Sequence, residues 1–305
     1  MSSQAELIEK IKRLKEEKNA VVLAHCYQNV EIDEVADFVG DSLYLSRQAA
    51  KTNADIIVFA GVYFMAETAK ILSPDKKVLL PRMESGCLMA NMVNLKQIRE
   101  FKAKHPNIPV VCYVNSTAEV KSECDICCTS ANAVDVVRSL NSKQVLFVPD
   151  MHLGEYVGSK LPDVEVITYP GYCPTHVRIL PSDVLEQKKL YPNAKVLCHP
   201  ECNSDVVELA DVVGSTTALI KYANESDEKD FIIVTEVGVV ERLRRDNPEK
   251  NFVHVSFKAV CPSMKWTHLE DVYNVLLNEN NEVDVNPDYA KKSLDMIERM
   301  LAVNV

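Results

Sequence analysis

The sequence predicts an α/β protein built from three equivalent units, and three observations carry that prediction. First, the chain repeats itself. His25, Tyr113 and His199 stand 88 and 86 residues apart, and Tyr27, Asn115 and Glu201, then Ser42, Ser130 and Thr216, then Glu67, Glu155 and Glu241 keep the same steps. A fixed period dictates architecture before any other signal is read, and this one is too long for a solenoid repeat but suits a small βαβ layer. Second, short apolar runs alternate with helical stretches inside each unit, the pattern of a parallel sheet covered on both faces. Third, Cys87, Cys173 and Cys261 recur at 86 and 88 residues. Three units closed in a ring would bring one thiol each toward a common axis.

The elements follow in order. Met1 to Lys18 reads as a charged amphipathic helix rather than an export signal. Each unit then opens on an uninterrupted apolar run, Ala20–Ala24, Pro109–Val114 and Ala194–Cys198, as expected of strands buried on both faces. A polar motif follows each run, at the carboxyl end where α/β proteins bind ligands. Small-residue turns come next: Gly40–Leu43, Thr129–Ala133 and Gly214–Ala218. Their Ser and Thr residues can cap a helix whose free N–H groups face an anion. Second strands are expected at Asp55–Ala60, Gln144–Val148 and Phe231–Thr235, and third strands such as Lys77–Leu80 and Val164–Thr168 lead to the cysteines. The expected fold is therefore three pseudo-equivalent Rossmann-like αβα units with pseudo-threefold symmetry around a central cluster and cavity. The expected boundaries are 1–90 with the N-terminal helix, 91–178, and 179–305 with a helical tail. That tail, Thr267 to Val305, is expected to pack back on the N-terminal helix.

Composition excludes several function classes. The 305 residues are 47% hydrophobic and carry a net charge of −10. Nucleic-acid surfaces need a positive footprint, so that class is excluded. No apolar run reaches membrane-span length, and a cytoplasmic protein is expected. Ten cysteines without an export signal read as reduced thiols, some of them ligands. The eight glycines form neither G-x-G-x-x-G nor a Walker loop.

Two constellations carry chemistry. Three thiolates brought from distant units suit a [4Fe–4S] cluster whose fourth iron stays open as a Lewis acid. Ordinary half-buried cysteines are the alternative, a reading that accounts poorly for three in phase. The strand-end motifs, His25 to Gln28, Tyr113 to Ser116 and His199 to Cys202, each place side chains i and i+2 on one side of the chain. Pooled, they offer two imidazoles, two phenols, an amide and a carboxylate, which can hold anionic oxygens and move protons. Ser42, Ser130, Ser215 and Thr216 could each be a plain cap or, as a set, an anion site. His176 is a ligand or a packing residue. Cys124 and Cys127, with Cys128, resemble a zinc motif but lack a matching pair, so they read as incidental. Glu67, Glu155 and Glu241 read as contacts between units or helices rather than catalysts.

These residues bring out a resemblance. Ala24 to Gln28, Asp37 to Leu43, Phe64 to Glu67, Tyr113 to Thr117, Thr129 to Ala133, Gly154 to Val157, Cys173 to His176, His199 to Cys202 and Gly214 to Thr216 follow one another as in the quinolinate synthase family. The chain resembles that family over essentially its full length. The resemblance implies an iron–sulfur enzyme of NAD biosynthesis. It would condense iminoaspartate with dihydroxyacetone phosphate to quinolinate, losing phosphate and two waters. It implies cluster ligands Cys87, Cys173 and Cys261, and a substrate cavity holding His25, Tyr27, Ser42, Tyr113, Asn115, Ser130, His176, His199, Glu201, Ser215 and Thr216. Glu201, Tyr27, His25 and His199 form the expected catalytic set, the first two moving protons and the imidazoles orienting substrates. An L-aspartate oxidase or dehydrogenase would supply the imine. Cys26 stands where the family usually has Asn. Two rivals are a radical S-adenosylmethionine enzyme of diphthamide synthesis and a non-catalytic iron–sulfur sensor.

Overall fold

Three four-stranded sheets, parallel throughout, organise the chain, which is described over residues 3–303 in a computed structural model. The parts of the expected terminal helices at Met1, Ser2, Asn304 and Val305 lie outside the described residues. The first sheet holds β1 (Ala20–His25), β2 (Phe38–Gly40), β3 (Ile56–Ala60) and β4 (Lys77–Leu79) in the order β2-β1-β3-β4. The second holds β5 (Val110–Tyr113), β6 (Ile126–Cys128), β7 (Gln144–Val148) and β8 (Glu165–Thr168) in the order β6-β5-β7-β8. The third holds β9 (Lys195–Cys198), β10 (Val212–Val213), β11 (Asp230–Val234) and β12 (Asn251–His254) in the order β10-β9-β11-β12. The order repeats three times, so the chain is α/β as its sequence predicts.

The first and third sheets show why their strands read as unbroken apolar runs. In β1, Val21 and Leu23 pack into a core shared with the second sheet, while Val22 and Ala24 pack beneath the N-terminal helix. Strand side chains alternate between faces, so a sheet with two buried faces needs apolar residues at both parities. In the third sheet Val196 and Cys198 face one core, and Leu197 faces the other with Phe231 and Phe252.

Strands β2, β6 and β10 have three, three and two residues, too short for any periodicity to mark them. A polar device aligns them instead. Asp37, Asp125 and Asp211 precede these strands at the steps of the repeat. Each accepts the backbone N–H of the neighbouring first strand: Val22 at 2.7 Å, Val110 at 2.7 Å and Val196 at 2.8 Å. Three charge-assisted bonds to backbone amides thus set register where side-chain packing is too sparse to do so.

Two contacts tie the first sheet's loops to their neighbours. Glu67 Oε2 accepts the N–H of Ala118 at 3.2 Å across to the second unit, whereas Glu155 pairs locally with His152 and Glu241 is exposed. Arg242 reaches from the third sheet's helix to the carbonyls of Cys26 and Gln28 and to Asp33, 2.5 Å away.

The tail divides its packing. The helix Leu269–Asn278 lies on the helix Gln4–Glu17 through Leu269, Val272 and Leu276 against Leu7, Ile11 and Leu14, as expected. The helix Pro287–Ala302 does not; it crosses to the second sheet, where Asn132 donates to the Met300 carbonyl and Ser293 to the Ala118 carbonyl. The redirection occurs at Glu279, whose positive φ ends the first helix and whose carboxylate holds Lys18 and Lys77. Beyond it, Glu282 bridges antiparallel to Leu79 and turns the chain away. Among the described residues, no helix is long and apolar enough to cross a membrane.

Candidate active site at the strand ends

The carboxyl ends of β1, β5 and β9 open on one cavity of about 130 Å³. His25 and Tyr27, Tyr113 and Asn115, and His199 and Glu201 all line it, while the intervening Cys26 and Val114 are buried in the protein. Alternation at the strand end therefore delivers two polar side chains per unit to the cavity. Ser42, Ser130 and Thr216 border it, as do His176, Cys87, Cys173 and Cys261. Ser215 does not. Its hydroxyl accepts the N–H of Ala218 and caps the helix Thr216–Glu225, the task Asp41 performs for the helix Ser42–Lys51.

A continuous hydrogen-bond chain joins these groups. The Tyr113 hydroxyl donates to Glu201 Oε1 at 2.5 Å, and Glu201 Oε2 lies 2.8 Å from His176 Nδ1. On the far side of that imidazole, Nε2 is 2.9 Å from Thr235 Oγ1, which lies 3.0 Å from the Tyr27 hydroxyl. Thr216 Oγ1 closes the chain 2.9 Å from the same hydroxyl. The His176 and His199 rings stack with centroids 4.8 Å apart. His25 Nδ1 accepts the N–H of Tyr27 at 3.1 Å, and His199 Nδ1 accepts the N–H of Glu201 at 3.3 Å. Both imidazoles are thereby held in the tautomer that carries its proton on Nε2. The Asn115 Oδ1 is buried with no hydrogen-bond partner, an acceptor left for a ligand.

Charge states follow from burial and neighbours. Burial takes His25 down to about 3, helped by Arg242, and takes His199 down to about 3 as well. Burial and then the Glu201 charge push both phenols, Tyr27 and Tyr113, up. For Glu201, burial opposes ionisation. His176, His199 and the hydrogen bonds from His176 and Tyr113 outweigh it and hold the carboxyl below the usual carboxylate range. At neutral pH the cavity thus contains the Glu201 carboxylate, the protonated phenols of Tyr27 and Tyr113 and the neutral imidazole donors of His25 and His199. The histidines also set an acid limit on the fold. The unfolded chain takes up protons below pH 6.5 that folded His25 and His199 refuse until about pH 3, so stability falls across that window. Between pH 6.5 and 5 the loss is about 2 kcal/mol per histidine. Urea titrations at pH 7 and pH 5 are expected to show the combined loss, and His199→Asn is expected to remove about half of it.

Ten free cysteines occur, of which seven are buried; the three that remain partly exposed are Cys87, Cys173 and Cys261. Burial pushes Cys87 up to about 12, with the charge of Cys261 adding to it. Burial also raises Cys173 and Cys261, and Cys173 feels Glu201 and both other thiols. Three thiols that border one cavity and whose ionisation burial opposes suit a shared cation. The Cys173, His176 and Glu201 donor atoms also lie within 4.8 Å of one another. There the imidazole and carboxylate already satisfy each other.

The protein-family profile described as "Quinolinate synthetase A protein" matches residues 9–302. A quinolinate synthase of Alkaliphilus metalliredigens is 52% identical over 301 residues, 99% of each chain. One of Dehalococcoides mccartyi strain CBDB1 is 54% identical over 294 residues, 96% of this chain and 97% of its own. One of Methanosarcina barkeri is 51% identical over 302 residues, 99% of each. The chain belongs to the quinolinate synthetase A family.

Within this quinolinate synthetase fold, residues that the sequence pattern does not single out also join the site. Thr235 ends the expected strand Phe231–Thr235 and links Tyr27 to His176. Its counterparts in the repeat are Gly61 and Pro149, which carry no hydroxyl, so the period conceals it. Its position at a strand end is the signal that could have found it. Among the described residues, Arg178 is the single Lys or Arg bordering the cavity. Cys26, Cys124 and Cys127 are buried off the cavity.

Proposed function

We propose that the protein is a transferase of NAD biosynthesis that condenses iminoaspartate with dihydroxyacetone phosphate to quinolinate, with loss of phosphate and two waters. The single observation that carries this reading is the hydrogen-bond chain from Thr216 through Tyr27, Thr235, His176 and Glu201 to Tyr113, set in the cavity that the three phased cysteines line. Family membership supports the product. The donor chemistry fits a [4Fe–4S] cluster: three thiols from the loops of three sheets, partly exposed to one cavity. Cys87, Cys173 and Cys261 would hold it, and with one iron open it would supply Lewis acidity toward a substrate oxygen.

The chain's own residues bind and move protons. The Nε2–H groups of His25 and His199 donate to substrate oxygens, and the N-terminal turns at Ser42, Ser130 and Thr216 offer hydroxyl and backbone donors to carboxylates and phosphate. Asn115 Oδ1 accepts from a substrate N–H or O–H. With His176 Nδ1–H donating to Glu201, Nε2 is an acceptor, so Thr235 donates to it and Tyr27 donates to Thr235. A proton taken from substrate carbon by the Tyr27 oxygen lets Tyr27 pass its own to Thr235, and Thr235 its own to His176 Nε2. The imidazolium so formed is stabilised by Glu201. Tyr113, bound to the other carboxylate oxygen, holds Glu201 in place. Arg178 at the rim gives an anionic substrate one fixed positive charge on an otherwise acidic protein. The reduced thiols suit the cytoplasm. The imine would come from an L-aspartate oxidase or dehydrogenase.

The test is anaerobic assay of the reconstituted protein with dihydroxyacetone phosphate and iminoaspartate generated in place. Quinolinate is the expected product. A protein with a verified four-iron cluster that makes none, or that cleaves S-adenosylmethionine instead, would refute this function.

A further inference from the structure

Glu236 is fully buried beside the cavity, and the proton chain makes no use of it. Both of its oxygens hold one short segment. Oε1 accepts the backbone N–H of Cys261 at 3.2 Å. Oε2 accepts the N–H of Gly238 at 2.7 Å and lies 3.4 Å from Lys265 Nζ. Cys261 is the N-cap of the helix Pro262–Lys265 and Lys265 is its last residue, so one carboxylate grips both ends of that helix. Lys265 Nζ also donates to the Tyr27 carbonyl at 2.7 Å, which extends the grip from the third sheet to the end of β1. A buried carboxylate is costly unless its oxygens are satisfied, and here every partner belongs to the Cys261 segment or to the turn at Gly238.

The repeat sharpens the point. The counterpart of Glu236 in the second unit is Asp150, also fully buried, whose residue pairs with Gly171 beside Cys173 and whose carboxylate caps the helix Met151–Lys160. In the first unit the counterpart is Val62. Of the three, Glu236 is the one paired with a lysine, and it is Lys265 that carries the contact on to Tyr27 of the first unit.

We infer that Glu236 is a positioning residue that latches the Cys261 loop and, through Lys265, ties it to Tyr27. Retention of the cluster and the setting of Tyr27 then depend on one carboxylate. This rests on the reading of Cys261 as a ligand. Groups that orient a metal ligand without touching the metal typically change its retention by about 10- to 100-fold when removed.

The experiment measures how fast an iron chelator strips the cluster from the anaerobically reconstituted full chain, followed by visible absorption and by iron and sulfide content. Glu236→Gln keeps an acceptor for the Cys261 amide but cannot pair with Lys265. The double variant Glu236→Leu with Lys265→Met removes the latch without leaving a buried unpaired ammonium. The double variant is expected to lose its cluster about 10- to 100-fold faster than wild type, and the Gln variant about tenfold faster. The thermal midpoint of the cluster-free Gln variant is expected to match that of cluster-free wild type. A wild-type rate of loss in both variants overturns the latch, and so does a cluster-free midpoint that falls in step with cluster lifetime. Cys261→Ala separates the two readings. If it holds no cluster while Glu236→Gln behaves as wild type, only the latch fails. If it holds the cluster as long as wild type does, the ligand reading fails and takes the latch with it.

Discussion

Replacing Cys87 by Ala is expected to give a folded protein that takes up no stable four-iron cluster and forms no detectable quinolinate; Cys173→Ala and Cys261→Ala are expected to do the same. The reason is geometric and chemical together. Of the ten cysteines these three alone are partly exposed, all three border one cavity, and each comes from a different sheet's ligand-side loop. A cluster bound by three thiolates has no replacement among the other seven, which are buried within the cores. The fold itself loses little, about 1 kcal/mol or less, since a partly exposed thiol contributes modest packing. Cys198→Ala is the informative contrast. That side chain fills a core of the third sheet, so its loss is expected to lower stability while leaving cluster content intact. Iron and sulfide per chain, with circular dichroism for the fold, decide the matter. A four-iron cluster retained at wild-type content by Cys87→Ala would remove that residue from the ligand set.

Glu201→Gln is expected to lower kcat by about 10²- to 10⁴-fold, the usual worth of a positioned acid–base group, with a smaller change in KM and an unchanged cluster. The carboxylate accepts two donors, Tyr113 O–H and His176 Nδ1–H. An amide can accept from only one of them, and its NH₂ then faces the other. If Gln keeps the Tyr113 bond, its NH₂ forces His176 to carry its proton on Nε2. That reverses the Thr235 hydroxyl and breaks the proton path from Tyr27. The imidazolium would also lose its counter-charge. Single-turnover measurements on reconstituted protein separate this from a binding defect. A Gln variant with near-normal kcat and an intact cluster would take Glu201 out of the proton relay, as the group that orients and charge-balances His176.

Much of the site is legible in the sequence because the strand ends are local structures repeated three times. His25 and Tyr27, Tyr113 and Asn115, and His199 and Glu201 are separated by one residue, and alternation at a strand end sends both members of each pair to one side. Cap chemistry is equally local, yet it distinguishes neighbours only once the helix start is known. Ser215 and Thr216 look interchangeable in sequence, but one caps its helix and the other faces the cavity. The short strands β2, β6 and β10 escape periodicity and are set by Asp37, Asp125 and Asp211, whose role needs a partner 15 residues away. The tail's last helix goes to the second sheet because Glu279 and Glu282 turn the chain, a choice no amphipathic pattern encodes.

By itself, then, the amino-acid order determined the three-unit α/β plan, the phased thiols and the polar groups at the strand ends, since each depends on spacing along the chain. Tertiary structure alone decided which of those groups share a proton and which residues outside the period join them. Thr235 meets Tyr27 across 208 residues, and Lys265 meets it across 238. Such contacts depend on how three separately formed sheets close against one another, and hydrogen bonds that lose strength within a fraction of an ångström register that closure where hydrophobic pattern does not.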